Sequence, residues 1–392
     1  MKKNLFFAVL TVMVVYQCMA FFKKGEKMEI KAESLLLFAG SYAPASDQGI
    51  KVFSFNQESA DFAFLTGAAG VSNPSYLCIN STQNRVYAVG EDEGSTATVN
   101  VLSFDRERLH LALEDTGLTL GGAPCNLVLS PAEDYVLTAN YFGGNISVFP
   151  LTSDGILKDS IPHILSFSGK SIHPERQTKP YLHSVRFTPD KRFMVANDLG
   201  SDRLYLYPVY MDDTLKQTTT QALLPLLDET HRRDVVIKPG SGPRHLCFHP
   251  GGKYCYLLNE LSGMVVSMRY EQDTLIPFQY IASDTVGAEG SADIHCSADG
   301  KFVYASNRLK ADGIAIFQVN PSDGSLMKVG YQLTGKHPRN FIITPNDKFL
   351  LVACRDENTI EIYLRDSETG LLSDTGKRIS MIQPVCLKFA GY

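Results

Sequence analysis

The sequence predicts an all-β protein built as a seven-bladed β-propeller, and two observations carry this prediction. A unit of two apolar runs joined by a turn recurs about every 45 to 50 residues, which is the repeat length of propeller blades. The composition fits as well, because the chain of 392 residues contains 22 Phe, 18 Tyr, 30 Gly and 19 Pro and shows no helical periodicity of useful length. Trp is absent, and with it the WD signature of many propellers.

Each copy of the repeat opens with a short group of small or polar residues. The six openings are Asn73-Pro74-Ser75, Ala123-Pro124-Cys125, Lys179-Pro180-Tyr181, Gly242-Pro243-Arg244, Ser291-Ala292-Asp293 and His337-Pro338-Arg339. In the fourth copy an apolar run at 246–248 leads through a turn at 250–253 into a second run at 254–258. Each copy therefore predicts an antiparallel hairpin.

A seventh copy is divided between the two ends of the chain. Residues 383–389 repeat the opening, and the runs 35–42 and 49–55 supply the strands that would follow it. We expect the C-terminal strand to pair with the N-terminal sheet, because this closes the ring and removes free sheet edges. Residues 21–392 are then one propeller domain.

Residues 1–20 are predicted to be a secretory signal peptide. Lys2-Lys3 precede an apolar run at 5–16 that is too short for a membrane span, and Cys18-Met19-Ala20 offers a cleavage site. We therefore expect an exported protein, periplasmic or secreted, with no membrane span after signal removal. A lipoprotein anchored through Cys18 is the less favoured alternative, because Gln17 stands where a small residue normally precedes the lipidated cysteine.

Cysteine usage and charge exclude several classes of protein. Seven cysteines follow the signal peptide, an odd number, and Cys78, Cys247 and Cys296 occupy equivalent repeat positions, which indicates packing residues rather than a disulfide framework. The formal net charge of −5 gives no reason to expect nucleic acid as a partner. The sequence has no zinc-ligand spacing, no phosphate-binding glycine loop and no Gly-x-Ser-x-Gly motif, so neither a metal nor covalent catalysis is predicted.

Polar side chains collect at one end of the predicted hairpins. Residues equidistant from a turn lie opposite each other in an antiparallel pair, with one residue of slippage allowed. This count sets Arg244 opposite Glu260, and His183 opposite Asp198. It brings the following residues to the same end: Glu91, Asn140, Arg308, Arg339 and Arg355. Such a polar ring at one end of the central channel is the usual place for a small polar ligand in this fold.

A purely structural interpretation of these residues stands beside the functional one. Arg244 and Glu260 could equally form an ion pair across strands, whereas the convergence of Arg308 and His183 on the same rim favours function. Arg339 opposite Arg355 is a like-charge pair, for which screening by Asp356 or Glu357 is the favoured explanation. Four other histidines are interpreted as structural: His245, His249, His295 and His337.

At these positions the chain resembles the seven-bladed lactonase family that includes propeller-type 6-phosphogluconolactonase and carboxymuconate-lactonising enzyme. The segments that carry the resemblance are Asn73-Pro74-Ser75-Tyr76-Leu77, Ala139-Asn140-Tyr141, Glu175-Arg176-Gln177, Leu182-His183-Ser184, Asp198-Leu199-Gly200, Gly242-Pro243-Arg244-His245, Asn259-Glu260-Leu261, Ser306-Asn307-Arg308 and Pro338-Arg339-Asn340. The resemblance covers essentially the whole mature chain. One departure is Tyr181, which stands where the family usually has a first His before His183, and which bears on substrate identity or on one proton transfer.

The resemblance implies a cofactor-free catalytic site. Its positions match His183, Arg244, Glu260 and Arg308, and Arg176 and Gln177 match a loop that borders the pocket in the family. The further residues expected to contact substrate are Asp198, Asn140, Glu91 and Arg339. The implied reaction is hydrolysis of a sugar lactone, of the 6-phosphogluconolactone or unphosphorylated gluconolactone type, to the aldonic acid.

The expected mechanism assigns a role to each member of this quartet. Glu260 would act as general base on a water, Arg244 and Arg308 would stabilise the oxyanion, and His183, oriented by Asp198, would protonate the leaving alkoxide. Acid and base can be exchanged between His183 and Glu260. An exported enzyme is expected to meet an unphosphorylated lactone.

Two alternatives to hydrolysis remain open at this point. One is a muconate-type lactone cyclase or isomerase, and the other is a non-catalytic exported propeller that binds a glycan or a protein. The expected partner is a small-molecule lactone, and the expected state is a monomer or weak homo-oligomer.

Overall fold

A computed structural model describes residues 34–210 and 226–390 of the chain. Within these residues, 28 strands form seven four-stranded antiparallel sheets, which confirms the predicted seven-bladed propeller. The predicted signal peptide at 1–20 lies outside the described residues. Among the residues described, no helix reaches the length and apolarity required to span a bilayer.

The blades are numbered along the chain. Blade 1 consists of β1 (Ser34–Ser41), β2 (Ile50–Asn56), β3 (Phe62–Ala68) and the last strand, β28 (Pro384–Ala390). Blade 2 consists of β4 (Leu77–Ile79), β5 (Arg85–Gly90), β6 (Thr98–Asp105) and β7 (His110–Leu118). Blade 3 consists of β8 (Pro124–Leu129), β9 (Tyr135–Asn140), β10 (Asn145–Pro150) and β11 (His163–Ser166).

The remaining four blades repeat the same order of strands. Blade 4 consists of β12 (Leu182–Phe187), β13 (Phe193–Asp198), β14 (Arg203–Pro208) and β15 (Arg233–Val236). Blade 5 consists of β16 (Pro243–Phe248), β17 (Tyr254–Asn259), β18 (Met264–Glu271) and β19 (Thr274–Ala282). Blade 6 consists of β20 (Ser291–Cys296), β21 (Phe302–Asn307), β22 (Gly313–Val319) and β23 (Leu326–Leu333). Blade 7 consists of β24 (Pro338–Ile343), β25 (Phe349–Cys354), β26 (Thr359–Arg365) and β27 (Leu372–Ser380). Two short 3-10 helices lie at Gly94–Thr96 and Arg355–Glu357.

The hydrophobic core is divided into seven apolar clusters, one between each pair of neighbouring blades. Alternate residues of a strand point to opposite faces of its sheet, so each blade contributes one face to each of two clusters. Between blades 4 and 5, for example, Val195 and Leu204 pack with Leu257 and Val266. Burial of such side chains contributes roughly 1.5–3 kcal/mol each, which makes every blade depend on both of its neighbours.

The C-terminal strand closes the ring, as the sequence predicts. β28 pairs antiparallel with β1, with Phe389 opposite Leu37 and Leu387 opposite Ala39. Asn340 of blade 7 strengthens this closure, because its side-chain oxygen accepts a hydrogen bond of 2.7 Å from the backbone N–H of Leu387. Blades 1 and 7 are thus joined by polar as well as apolar contacts.

The innermost strand of most blades carries a β-bulge near its start. The pairing skips Cys125, His183, Arg244 and Arg339, each of which lies between two paired residues of its strand. A bulge leaves one residue unpaired and redirects its side chain. The expected hairpin registers hold to within one residue, and the bulges account for the difference.

The seven cysteines within the described residues are all free thiols, as the sequence predicts. Five of them are buried and two are half-buried, so they act as small packing residues.

Candidate active site

Two positions in each blade supply most of the polar groups at one end of the central channel. One is the bulged residue of the innermost strand, and the other is the first residue after the second strand. Together they line a pocket of about 380 Å³, to which a loop before β12 adds two residues, Glu175 and Arg176. The lining residues from the two repeat positions are Tyr42, Glu91, Cys125, Tyr141, His183, Glu260, Arg308 and Arg339.

Glu260 is the centre of charge in this pocket. Its Oε2 lies 2.7 Å from Arg244 Nε and 3.2 Å from Arg308 Nη2, and its Oε1 lies 2.7 Å from Arg176 Nη2. Burial alone would raise the pKa of Glu260, but Arg308, Arg244 and then His183 outweigh it and hold the pKa well below the ordinary value. Glu260 is therefore an ionised carboxylate at neutral pH, shared by three guanidinium groups.

His183 lies beside Glu260 without a direct hydrogen bond to it. Its Nε2 is 3.6 Å from Glu260 Oε2, and its Nδ1 is 3.6 Å from Cys125 Sγ. The Cys125 thiol also lies 3.4 Å from the backbone carbonyl of His183. Burial, reinforced by Arg244, lowers the pKa of His183 well below 6.5, so the imidazole is neutral at neutral pH.

The expectation that Asp198 orients His183 is wrong. Asp198 accepts hydrogen bonds from the backbone N–H groups of Tyr181 and Gly200 and from the hydroxyl of Tyr205. These contacts fix the turn that follows β13 and use both carboxylate oxygens. The expected pairing of Asp198 with His183 fails because the bulge at His183 places Asp198 opposite Leu182 instead.

Arg244 and Arg308 differ in their access to the pocket. The Arg244 side chain is only 1% exposed and lies behind Glu260, with Nη1 donating to the Ala292 carbonyl. Arg308 lines the pocket itself, and it is held by Nε donating to the Gly290 carbonyl at 2.8 Å and by Nη1 at 3.2 Å from His337 Nε2. Arg308 is thus placed to touch a ligand, whereas Arg244 acts through Glu260.

The opposite wall of the pocket is a second charged group built around Glu91. The Tyr42 hydroxyl lies 2.9 Å from both carboxylate oxygens of Glu91, and Arg339 Nη2 lies 3.6 Å from Glu91 Oε1. The Arg339 guanidinium also stacks over the Tyr42 ring at 5.3 Å, and the Ser75 hydroxyl donates to Glu91. Burial raises the pKa of Tyr42, which keeps its phenol neutral.

An aromatic wall completes the pocket. The Tyr141 and Tyr181 rings lie 4.9 Å apart, and Phe142 packs against Tyr141 at 5.3 Å. Tyr181, which stands where the related family usually has His, forms part of this wall and leaves the pocket open. Flat aromatic faces of this kind offer apolar surface to the carbon face of a sugar ring.

Three residues expected to contact substrate lie outside the pocket lining. Asn140 is fully buried and donates to Asn145 Oδ1 and Ser147 Oγ, so it serves blade 3 internally. Gln177 donates to the Leu199 carbonyl at 2.9 Å and accepts from the His173 backbone N–H at 3.1 Å. Asp198 is used by the turn described above. Gln177 is still important, because it anchors the loop that carries Arg176.

The structure also places the residues for which a structural role is expected. His245 and His295 both contact Asp293, at 2.8 and 2.9 Å, and His249 contacts the Gly300 carbonyl at 3.1 Å. His337 contacts Arg308, a residue of the pocket, so its environment is part of the site. Arg355 pairs with Asp356 at 2.6 Å, as expected from the screening explanation.

Comparison with known proteins decides the family. The family described as "Lactonase, 7-bladed beta-propeller" matches residues 36–389 of this chain. The chain belongs to this lactonase family. A 6-phosphogluconolactonase of Bacillus subtilis is 33% identical over 359 residues, which cover 90% of this chain and 97% of the relative.

Two solved structures also resemble this lactonase propeller closely. A candidate 6-phosphogluconolactonase of Bacteroides fragilis has a TM-score of 0.85 at 44% identity and covers 94% of this chain and 100% of its own. A periplasmic gluconolactonase of Pseudomonas aeruginosa has a TM-score of 0.80 at 30% identity and covers 92% of this chain and 100% of its own.

Several residues of this lactonase pocket are missing from the set named by sequence reasoning. Tyr42 is the clearest case, because it follows the second strand of blade 1 as Glu91, Tyr141, Glu260 and Arg308 follow theirs. Aligning the repeats with β1 as the second strand of its blade would have found it. The described residues contain no group of three side chains suited to hold a metal ion.

Proposed function

We propose that this protein is a lactonase that hydrolyses an uncharged sugar lactone, of the gluconolactone type, to the aldonic acid. The observation that carries the proposal is a neutral His183 facing the ionised Glu260 in a pocket with arginine donors. Membership of the lactonase family and a relative named 6-phosphogluconolactonase support lactone hydrolysis, and the structure named as a periplasmic gluconolactonase supports an unphosphorylated substrate.

His183 is the better candidate for the general base. A carboxylate whose pKa is held well below its ordinary value by three guanidinium groups is a poor proton acceptor, whereas the neutral imidazole has a free lone pair. We assign the Nδ1–H of His183 to Cys125 Sγ, because the thiol can donate to the His183 carbonyl at 3.4 Å. This tautomer leaves Nε2 as the proton acceptor.

The reaction then proceeds in two steps. A water between the substrate and His183 loses a proton to Nε2 while its oxygen bonds to the lactone carbonyl carbon. The tetrahedral intermediate collapses, the ring C–O bond breaks, and the imidazolium returns the proton to the leaving alkoxide. Glu260 stabilises the imidazolium from 3.6 Å, so it assists catalysis without accepting the proton.

The oxyanion is stabilised by Arg308, with Arg176 as its partner. Arg308 uses three of its five N–H groups within the described chain, on Gly290, His337 and Glu260, which leaves two for a ligand. Arg176 is 37% exposed at the mouth and donates through Nη2 to Glu260 and Tyr141. Donors already fixed in place cost no reorganisation when charge develops on the carbonyl oxygen.

The charge of the pocket favours a substrate without phosphate. Arg176 and Arg308 share Glu260, and Arg339 lies against Glu91, so each guanidinium that lines the pocket has a carboxylate near it. Glu175 adds a further carboxylate to the lining. A phosphate dianion would have to compete with these carboxylates for the same donors, whereas the hydroxyl groups of an aldonolactone would not.

A substrate panel tests this proposal. Ring opening of glucono-δ-lactone, its 6-phosphate and a muconolactone is followed by pH-stat, and the spontaneous rate is subtracted. We expect the highest kcat/KM with glucono-δ-lactone. A preference for the 6-phosphate would refute the charge argument, isomerisation of the muconolactone alone would establish the cyclase alternative, and no acceleration at all would refute the lactonase.

We further propose that the protein is exported and acts as a monomer or weak homo-oligomer. The pattern of residues 1–20 supports export. N-terminal sequencing of the protein from a periplasmic or secreted fraction tests the first point, since an intact Met1 in the cytoplasm would contradict it. Light scattering after gel filtration tests the second, and a tight higher oligomer would contradict it.

A further inference from the structure

The opposite end of the central channel contains a second pocket, of about 480 Å³, which the proposed reaction does not use. It is lined by later residues of the inner strands and by hairpin turns, including Pro131 and Pro189, whereas the active-site pocket is lined by the starts of the same strands. His245 lies between the two, because its ring contacts the His183 ring at 5.3 Å and also lines the second pocket.

Three cationic side chains line this second pocket, and none has a carboxylate partner in the described part of the chain: Arg186, Lys191 and Lys388. Lys388 Nζ lies 3.3 Å from the Tyr76 hydroxyl and 4.5 Å from the centre of its ring, and Arg186 lines the same pocket. Burial and the nearby Arg186 act to lower the pKa of Lys388, but Tyr76 and Cys386 outweigh them, so the pKa is raised and the ammonium stays charged. An anion bound in the pocket would offset the repulsion between these like charges.

The buried carboxylate of this pocket is already satisfied. Asp293 accepts from His245 Nδ1 at 2.8 Å, from His295 Nε2 at 2.9 Å and from the Ile294 backbone N–H at 3.0 Å. It also accepts a bond from Asn340 Nδ2. Asp293 keeps its negative charge, but its hydrogen-bonding capacity is used by these four donors, and no ion pair joins it to Lys388 or Arg186 among the described residues.

His245 adds a requirement that a simple anion does not meet. Its Nδ1 faces the Asp293 carboxylate and so carries the proton, which leaves Nε2 as a hydrogen-bond acceptor. Nε2 is buried and has no hydrogen-bond partner among the described residues, and the whole His245 side chain is only 10% exposed. Tyr76 connects this acceptor to the cations, because its ring lies 6.3 Å from the His245 ring.

We propose that this second pocket binds a small hydroxylated carboxylic acid. Lys388 and Arg186 bind the carboxylate, and His245 Nε2 accepts a hydrogen bond from a hydroxyl group of the same molecule. An uncharged polyol lacks the anion that the cations require, and an aliphatic carboxylate lacks the hydroxyl donor. The site is independent of the lactonase proposal, because it uses none of the residues assigned to that reaction.

Calorimetric titration of the full-length protein with three ligands tests this inference. Gluconate has both groups, hexanoate only the carboxylate, and sorbitol only the hydroxyls. We expect gluconate to bind with an affinity at least about tenfold higher than either control, because it loses neither the charged contact nor the hydrogen bond. Equal binding of hexanoate and gluconate would overturn the role of His245, and no saturable binding of gluconate would overturn the site.

Variants locate the binding event. Lys388→Gln and Arg186→Gln are each expected to remove the second-pocket binding event, while the inhibition of lactone ring opening by gluconate, which reports the active-site pocket, stays unchanged. Lys253→Gln, on a hairpin turn outside the pocket lining, is the matched control. Lys388→Met keeps the packing of the side chain if Lys388→Gln melts early. An isotherm that is the same in the parent and in both cation variants would overturn the proposal.

Discussion

His183 Nε2 lies 3.6 Å from Glu260 Oε2, although the two side chains belong to different blades. His183 reaches this position from the bulge of β12, and Glu260 from the residue that follows β17. The distance is too long for a hydrogen bond, so His183 keeps a lone pair for a water, and it is short enough for Glu260 to stabilise the imidazolium that forms. The proposed catalysis depends on this relationship.

The first prediction concerns the pH dependence of turnover. The proposed base must be neutral, and burial with Arg244 lowers the pKa of His183 well below 6.5. We therefore expect kcat/KM to stay constant from pH 8 to below 6.5 and to fall only in more acidic solution. A rate that instead declines as pH rises through 6.5 would mean that His183 acts as a protonated acid.

The second prediction concerns the charge of Glu260. Glu260→Gln leaves Arg244, Arg308 and Arg176 without their shared carboxylate, so the free energy of unfolding should fall by about 3 kcal/mol and ring opening should be lost. Urea denaturation and pH-stat assays measure the two effects. Glu271→Gln, on the exposed ion pair with Arg269, is the control and should change neither. An unchanged stability of Glu260→Gln would argue against the shared-charge description.

The third prediction is that Gln177 positions the loop of Arg176 and does not itself bind the substrate. Gln177 holds the loop of Arg176 through the Leu199 carbonyl and the His173 N–H. Gln177→Ala should therefore reproduce the kinetic defect of Arg176→Ala, and the double variant should be no worse than Arg176→Ala alone. The surface variant Gln332→Ala serves as the control. Additive losses in the double variant would give Gln177 a separate contact with substrate.

The fourth prediction concerns stability in acid. Burial, then Arg244, lowers the pKa of His245 to about 4, and burial, then Arg308, lowers the pKa of His337 to about 3. The unfolded chain binds these protons near pH 6.5. The contribution of the neutral histidines to the free energy of unfolding is therefore complete above pH 6.5 and is lost as the pH falls towards 4, by about 3 kcal/mol for His245 alone. Urea unfolding at pH 7.5, 6 and 4.5 measures the slope of the free energy of unfolding against pH. His245→Gln should flatten it, and an identical slope in that variant would contradict the assignment.

The fifth prediction concerns closure of the ring. A chain that ends at Gln383 lacks β28, which exposes the edge of β1 and the apolar faces of two clusters. We expect it to aggregate or to remain unfolded by circular dichroism. A synthetic peptide of residues 384–390 should restore part of the fold, whereas a scrambled peptide should not. A folded truncated chain would show that closure is dispensable.

The sequence is sufficient to predict the fold and most of the pocket, because both follow from the repeat. The period, the hairpin turns and the divided seventh copy fix the blades, and symmetry within each hairpin brings His183, Glu260, Arg308, Glu91 and Arg339 to one end. The bulges are harder to predict, since one inserted residue leaves no mark in the alternation of apolar side chains. Because of that single residue, Asp198 lies opposite Leu182 and accepts hydrogen bonds from a backbone turn instead of orienting His183.

Access to the pocket also could not be predicted from the repeat. Arg244 and Arg308 both belong to the implied quartet, yet only Arg308 lines the pocket. The difference depends on which backbone carbonyl each guanidinium donates to, that of Ala292 for Arg244 and that of Gly290 for Arg308, and no spacing in the sequence records this. Tyr42, in contrast, could have been predicted from the repeat, because it occupies in blade 1 the position that Glu260 occupies in blade 5.

The most direct measurement is the rate of ring opening of glucono-δ-lactone by the parent and by His183→Asn at pH 6.5, each compared with the spontaneous rate. Asn keeps a polar side chain but cannot accept the proton, so we expect the variant to fold and to lose the acceleration by a factor of about 100 or more. A folded His183→Asn variant that opens the lactone as fast as the parent would contradict the account, since the His183–Glu260 pair would then not be the catalytic centre.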